Sequence, residues 1–148
     1  MLDHTIDEVK KSYAALLETA HHKVFVGMYK GEAIFLMECY EASKDRIANY
    51  YEAKEGEYGM HLLVAPCTQR IPNFTWHVFT TVLDFLFSEE IIKRIVVEPD
   101  VNNTKIHTLN KKAGFRYEKE LQLPEKRAAL AFCNRADYVM AKYKVMTL

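Results

Sequence analysis

Apolar and polar positions along the chain recur with two periods, and these divide it into helical and extended segments. Near the start, Ile6, Val9, Tyr13, Leu16 and Leu17 form one apolar stripe behind the capping-box pair Thr5 and Glu8, which predicts an amphipathic helix running to about Ala20. Lys23–Tyr29 and Ala33–Tyr40 are rich in β-branched and aromatic residues, and Lys30-Gly31-Glu32 separates them as a hairpin turn would. The two runs are expected to pair antiparallel. Asp45–Glu57 is charged and Tyr-rich, a loop or short helix, and a strand is expected from Tyr58 or Gly59. Arg94–Val97 is short and β-branched, and Pro99, lacking a donor, ends its ladder. A helix follows, with Asn102 or Asn103 as its N-cap and Ile106, Leu109 and Ala113 at helical spacing. Lys111 and Lys112 suit its C-terminal dipole, and Gly114 supplies a left-handed stop. Phe115–Leu121 and Arg127–Cys133 read as the last strands, with Pro124 in the link, and the tail from Asn134 fits helix and strand equally.

Composition narrows the classes. A chain of 148 residues, 49% hydrophobic and 12% aromatic, suits one globular domain with a real core. Twenty acidic and twenty basic residues cancel, so no global field recruits nucleic acid or an anionic membrane. The start carries no cationic leader ahead of an apolar stretch, and no apolar run reaches the ~18 residues that span a bilayer. A cytoplasmic protein is expected. Cys39, Cys67 and Cys133 are scattered without a CxxC pair, and His4, His21, His22 and His107 show no metal-ligand spacing, so neither a disulfide framework nor a metal is expected.

The run RIVVEPDVNNTKIHTLNKKAGF, Arg94–Phe115, resembles the strand-helix segment of the GCN5-related N-acetyltransferases, in which an Asn opens a helix that ends eleven residues later in Gly-Phe. Asn103 and Gly114-Phe115 stand in that register. Upstream, Met60–Pro66 resembles the family's central strand and Asn73–Phe87 its following helix. Ile34–Ala42, Gly59-Met60-His61, Ile71–Phe79, EPDVNN and Leu123–Arg135 are similar, in that order, to the siderophore-biosynthesis acyltransferases that acylate lysine or N-hydroxylysine side chains. The resemblance implies an α/β (α+β) fold of the GNAT type: a mixed, mostly antiparallel twisted sheet, flanked by helices, whose central parallel strands splay. Acetyl-CoA or another acyl-CoA is the implied cosubstrate, with no metal, and a small-molecule amine or hydroxylamine the implied acceptor.

The chain departs from the family pattern in three places. Nothing in it corresponds to the first strand and first helix expected ahead of Thr5, so it reads as N-terminally short: either the strand is dispensable, or a neighbouring subunit in a homodimer supplies it, or the chain is a fragment or a mis-started reading frame. Gln69-Arg70-Ile71-Pro72-Asn73-Phe74 replaces the Gly-rich pyrophosphate loop, so Arg70 is expected to carry more of the phosphate charge while the helix N-terminus still offers its dipole. Asn110 stands where relatives carry a Tyr that protonates the departing thiolate.

The resemblance therefore points to His61 and Asp100 for catalysis. A lysine ammonium, with a reference pKa of ~10.4, must lose a proton before it attacks, and histidine suits that task near neutral pH. Asp100 would orient the imidazole or hold the substrate amine. Backbone N–H groups near Leu63, Val64 and Ala65 would polarise the thioester oxygen. Gln69, Arg70, Asn73, Phe74, Asn103 and Asn110 complete the expected cofactor contacts. Glu38 and Tyr40, on one side of a strand by alternation, are candidates for the acceptor, with an internal salt bridge the other reading of Glu38; Trp76, for which a core position is the other reading, and His77 are further candidates. Arg135, after the last strand, is a candidate for an acceptor carboxylate, with a solvated arginine the preferred reading. Two rival readings remain: transfer to an unrelated amine such as a polyamine, an antibiotic or a protein lysine, and a non-catalytic CoA-binding or interaction module.

Overall fold

The computed structural model of the chain describes residues 22–66 and 72–147, so the helix expected over Thr5–Ala20 lies outside the described residues. Six strands, β1 (His22–Tyr29), β2 (Glu32–Glu41), β3 (Glu57–Val64), β4 (Arg94–Val97), β5 (Arg116–Gln122) and β6 (Arg127–Asn134), form one sheet in the order β1-β2-β3-β4-β6-β5. The helices are α1 (Phe74–Phe87), α2 (Thr104–Lys112) and α3 (Arg135–Thr147). This is the mixed, mostly antiparallel architecture expected from the sequence. The chain forms two compact units: one takes in the described residues up to Tyr40 together with Met60–Glu89, the other Glu41–Gly59 together with the chain from Glu90.

In the first unit, β1 and β2 pair antiparallel around Lys30 and Gly31, whose positive φ values of 48° and 82° make a turn that matches strand twist. Tyr29 faces Glu32 and Met28 faces Ala33, but Gly27 faces Phe35, so Ile34 is an inserted residue and every later pair is shifted by one. Glycine is required at the bulge because a Cβ on Gly27 would lie 2.0 Å from the Phe35 ring. β2 and β3 run in opposite directions, since the Ala65 N–H donates to Ile34 O at 2.8 Å while His61, earlier on β3, lies beside Glu38 and Tyr40, later on β2. Helix α1 buries Val78, Phe79, Val82, Leu83, Leu86 and Phe87, a helical-period face. Phe85 meets Phe25 edge to face at 5.3 Å. Because Phe25 alternates with His22 and Val24, α1 covers one face of the hairpin and His22, Glu38 and Tyr40 lie on the other.

In the second unit, 3₁₀ turns at Ala42–Lys44 and Arg46–Asn49 lead to β3, resolving the loop-or-helix choice over the charged segment. β3 pairs parallel with β4 only from Glu57–Arg94 to Gly59–Val96, although β3 continues to Val64. The Glu57 carboxylate is buried and takes Arg94 Nη2 at 2.6 Å, the Tyr51 hydroxyl at 3.0 Å and the Lys54 N–H at 3.1 Å. The Arg94 guanidinium stacks over Phe132 at 3.9 Å. β6 lies between β4 and β5, and its residues Ala128–Cys133 are all buried, as a strand covered on both faces must be. The ambiguous tail is the helix α3, with the Asn134 side chain accepting the Asp137 N–H at 2.8 Å as its cap. Arg135 is half-buried and donates to Ile92 O at 2.7 Å.

Two stability measurements follow. Arg94→Ala leaves the Glu57 carboxylate buried without its cation and is expected to cost about 3–5 kcal/mol in urea unfolding. Gly114 has φ 101°, and a Cβ there would lie 2.6 Å from the Asp137 carbonyl oxygen. Gly114→Ala is therefore expected to cost more than about 1 kcal/mol by the same assay.

Candidate active site

The first unit gathers a polar cluster on the face opposite α1. The register shift at Gly27 sets His22 directly across from Tyr40, and alternation puts Glu38 on the same face. His61, on β3, turns to meet them: its Nδ1 lies 3.1 Å from Glu38 Oε2, and its Nε2 lies 3.4 Å from the Tyr40 hydroxyl. A carboxylate only accepts, so Nδ1 carries the proton; in the neutral ring Nε2 is then a lone pair that accepts from Tyr40. The same Glu38 oxygen is 3.8 Å from His22 Nε2. Tyr40 is buried, with its ring centroid 5.3 Å from that of His61 and 5.8 Å from that of His22. The His61 side chain is 48% exposed, so a solute can reach it. Sequence reasoning assigned nothing to His22. Counting outward from the turn sets His21 opposite Tyr40, and only the bulge brings His22 there.

Beyond His61, β3 is unusually open. Leu63 is 70% exposed, a large apolar side chain on an inner strand. Ala65 spends its N–H on Ile34 O, and by strand alternation Leu63 directs its N–H to the same side. Leu62 and Val64 therefore direct theirs away from β2. Gln69 and Arg70 lie outside the described residues. Asn73 precedes α1 in the left-handed conformation, φ 58°, and its side chain makes no capping bond, so it leaves the first-turn N–H groups to other acceptors. Phe74, Trp76 and His77 follow in the first turn of α1, each half-buried, and His77 O accepts from the hydroxyls of Thr80 and Thr81.

The second unit holds the other predicted residues. Asp100 makes an isolated bridge with Ala128, and its carboxylate accepts the Asn102 N–H at 2.8 Å. Asn103 caps α2 by accepting the Ile106 N–H at 3.2 Å, which leaves its two amide N–H donors unused by the cap. Asn110 is 1% exposed, and its side chain donates to the Tyr117 hydroxyl at 3.0 Å. That hydroxyl also meets His107 Nδ1 at 2.7 Å, while His107 Nε2 donates to Val101 O at 3.1 Å. Burial raises the pKa of Tyr117. Two clefts of the same unit, about 350 Å³ around Glu41, Lys44, Lys54 and Glu55 and about 200 Å³ around Arg116, Glu118 and Asp137, contain none of the residues singled out by the sequence. Among the described residues, no group of three or more His, Cys, Asp and Glu could hold a metal ion, and no helix is long and apolar enough to cross a membrane.

A family model described as an acetyltransferase (GNAT) domain matches residues 1–123. The chain belongs to the GNAT acetyltransferase family. Among curated GNAT relatives, the N-hydroxyputrescine acetyltransferase of Acinetobacter baumannii is 26% identical over 132 residues, covering 88% of this chain and 62% of its own. The N(6)-hydroxylysine O-acetyltransferase of Escherichia coli is 28% identical, covering 88% of this chain and 42% of its own. The lysine N-acyltransferase MbtK of Mycobacterium tuberculosis is 28% identical, covering 78% and 56%. The chain thus spans less than two thirds of the length of these relatives. Among solved structures, an uncharacterised Bacillus halodurans protein superposes with a TM-score of 0.77 at 31% identity, covering 84% of this chain and 64% of its own. The aminoglycoside acetyltransferase AAC(6')-Ib, crystallised with ribostamycin and coenzyme A, superposes at 0.69 with 20% identity over 80% of this chain and 67% of its own, and shares the GNAT fold.

Burial pushes the thiols of Cys39 and Cys133 up to about 12, so both are protonated near neutral pH and are poor nucleophiles. Cys39 alternates with Glu38 and so turns toward the α1 face. Native protein is expected to leave these two thiols unmodified by iodoacetamide at pH 8, with modification appearing in urea. Because their folded pKa lies above the ordinary 9.0, the unfolded state holds fewer protons as pH rises from about 9 to about 12. Unfolding free energy is therefore expected to fall across that window, as denaturant titrations at several pH values would show.

Proposed function

We propose that the chain transfers an acetyl or other acyl group from an acyl-CoA to the side-chain amine or hydroxylamine of lysine or N6-hydroxylysine, in siderophore biosynthesis. The observation that carries this reading is the solvent-reachable imidazole of His61, held from both ring nitrogens by Glu38 and Tyr40. The relatives named for hydroxylysine and lysine acylation support the acceptor class.

The chain's residues suit an acyl-CoA in two respects. The outward amides of Leu62 and Val64, beside the exposed Leu63, offer strand backbone to an extended ligand. The first turn of α1, without a side-chain cap at Asn73, offers N–H donors and dipole to a phosphate, with Arg70 as added charge. When bound, the thioester supplies the activated acyl group. His61 Nε2 would take the proton from the attacking nitrogen, with the Tyr40 hydroxyl yielding its place at that nitrogen. For Asp100, the family resemblance supports a hold on the acceptor's charge. A hydroxylamine is less basic than an amine, so for that acceptor positioning outweighs deprotonation. Attack is direct: the carbon–nitrogen bond forms, the carbon–sulfur bond breaks, and CoA leaves as the thiolate, to be protonated from solvent, while neither Cys39 nor Cys133 has a part in it.

Thiol release from acetyl-CoA, measured separately with N6-hydroxylysine, lysine, hydroxyornithine and a polyamine, tests the proposal. Release specific to hydroxylysine or lysine supports it. Turnover with the polyamine alone reassigns the acceptor, and tight CoA binding without release under any acceptor favours a binding module. His61→Ala is expected to lower turnover about 10²–10⁴-fold while leaving acetyl-CoA affinity nearly unchanged. Wild-type turnover in that variant removes His61 from the mechanism.

A further inference from the structure

We propose that Glu38 is the positioning residue of the His61 imidazole, fixing the proton on Nδ1 and strengthening Nε2 as a base, rather than a ligand for the acceptor's nitrogen. The inference rests on His61 being the base of the proposed transfer. Three observations carry it. The contact is direct and charge-assisted, Nδ1 to Oε2 at 3.1 Å, and an acceptor-only carboxylate leaves one tautomer of the neutral ring. Tyr40 lies 3.4 Å from the opposite nitrogen, so the ring plane is oriented from both ends, and the Nδ1 contact is the one that stays when Tyr40 yields Nε2 to the acceptor. All three side chains stand on paired strands, where backbone register sets their spacing before any substrate arrives.

The Glu38 oxygen that takes His61 is also the one 3.8 Å from His22, so it already lies between two imidazoles. An ammonium arriving at that oxygen would have to displace the contact that orients the base. The carboxylate contributes most when His61 becomes an imidazolium, because opposite charges then stand side by side. It serves the transition state more than the bound ground state, and that predicts an effect on kcat rather than on KM. Glu38 and Tyr40 face the imidazole from β2, and His22 on β1, when protonated, competes for the same Glu38 oxygen.

The test uses Glu38→Gln and Glu38→Asp in the purified chain, with thermal melting and acetyl-CoA affinity as folding controls. Initial rates against acceptor concentration and pH are read together with ¹⁵N NMR of the His61 ring. Glu38→Gln keeps an acceptor oxygen but loses the charge. It is expected to lower kcat about 10–100-fold and to move the acid limb of the rate profile to lower pH. Acceptor KM is expected to change by less than about two-fold. Glu38→Asp is expected to recover part of the loss. In the NMR spectra the wild-type ring is expected to show the Nδ1–H tautomer, and the variant to titrate at lower pH. A raised acceptor KM with unchanged kcat and an unchanged acid limb would overturn the proposal and make Glu38 an acceptor ligand. If wild-type protein transfers to no acceptor, the proposed function fails by itself. The NMR titration then still decides the Glu38–His61 coupling, which is refuted if Glu38→Gln leaves the His61 titration in place.

Discussion

A buried carboxylate at the start of β3 is the constraint around which the second unit is built. Glu57 is buried and is paired there with Arg94, its partner across the parallel ladder, because a buried charge is costly unless it is paired. The pair, with the Tyr51 hydroxyl and the Lys54 N–H, spends the polar capacity of Glu57 in one place and pins the register of β3 against β4. Such a pair adds little net stability over an apolar substitute, but it penalises every register that separates the charges. The short parallel contact, three residue pairs long, is thereby fixed even though β3 runs on past it.

The continuation of β3 carries His61, Leu63 and the outward amides, so the strand locked at its first residues by charge presents chemistry at its last. A similar economy operates in the hairpin. The turn at Lys30 and Gly31 sets one register, the residue inserted at Ile34 sets another, and the second puts His22, Glu38 and Tyr40 on one face. A one-residue slip exchanges the faces of a strand completely. Without the bulge, His22 would pair with Cys39, on the face away from Glu38 and Tyr40, and the Glu38 oxygen would lose its second imidazole.

Most of the elements were legible in the sequence because their signals are local. The β1–β2 turn, the Asn103 cap of α2, the Gly114 stop and the strands on either side of Pro124 each depend on residues within a few positions of one another. The tail was not legible, since Tyr138, Val139, Met140, Tyr143 and Met146 fit either period. Helix α3 is decided by the Asn134 cap and by the close seat that Gly114 gives the Asp137 carbonyl. The family motifs were legible for a similar reason: they are contiguous strings, and the match over residues 1–123 agrees with them.

The candidate site divides along the same line. The sequence by itself determined the family, the strand that bears His61, and the placing of Glu38 and Tyr40 on one side of their strand, because motif order and alternation are properties of neighbouring residues. Only the tertiary structure decided that Glu38 meets the His61 ring, that His22 joins them, that the Ala65 N–H is spent on β2 and that Asn110 is turned toward Tyr117. Each of these depends on cross-strand register or on the seating of a helix. Both are set by bulges, buried charge and packing between segments far apart in the chain, where local periodicity has no reach.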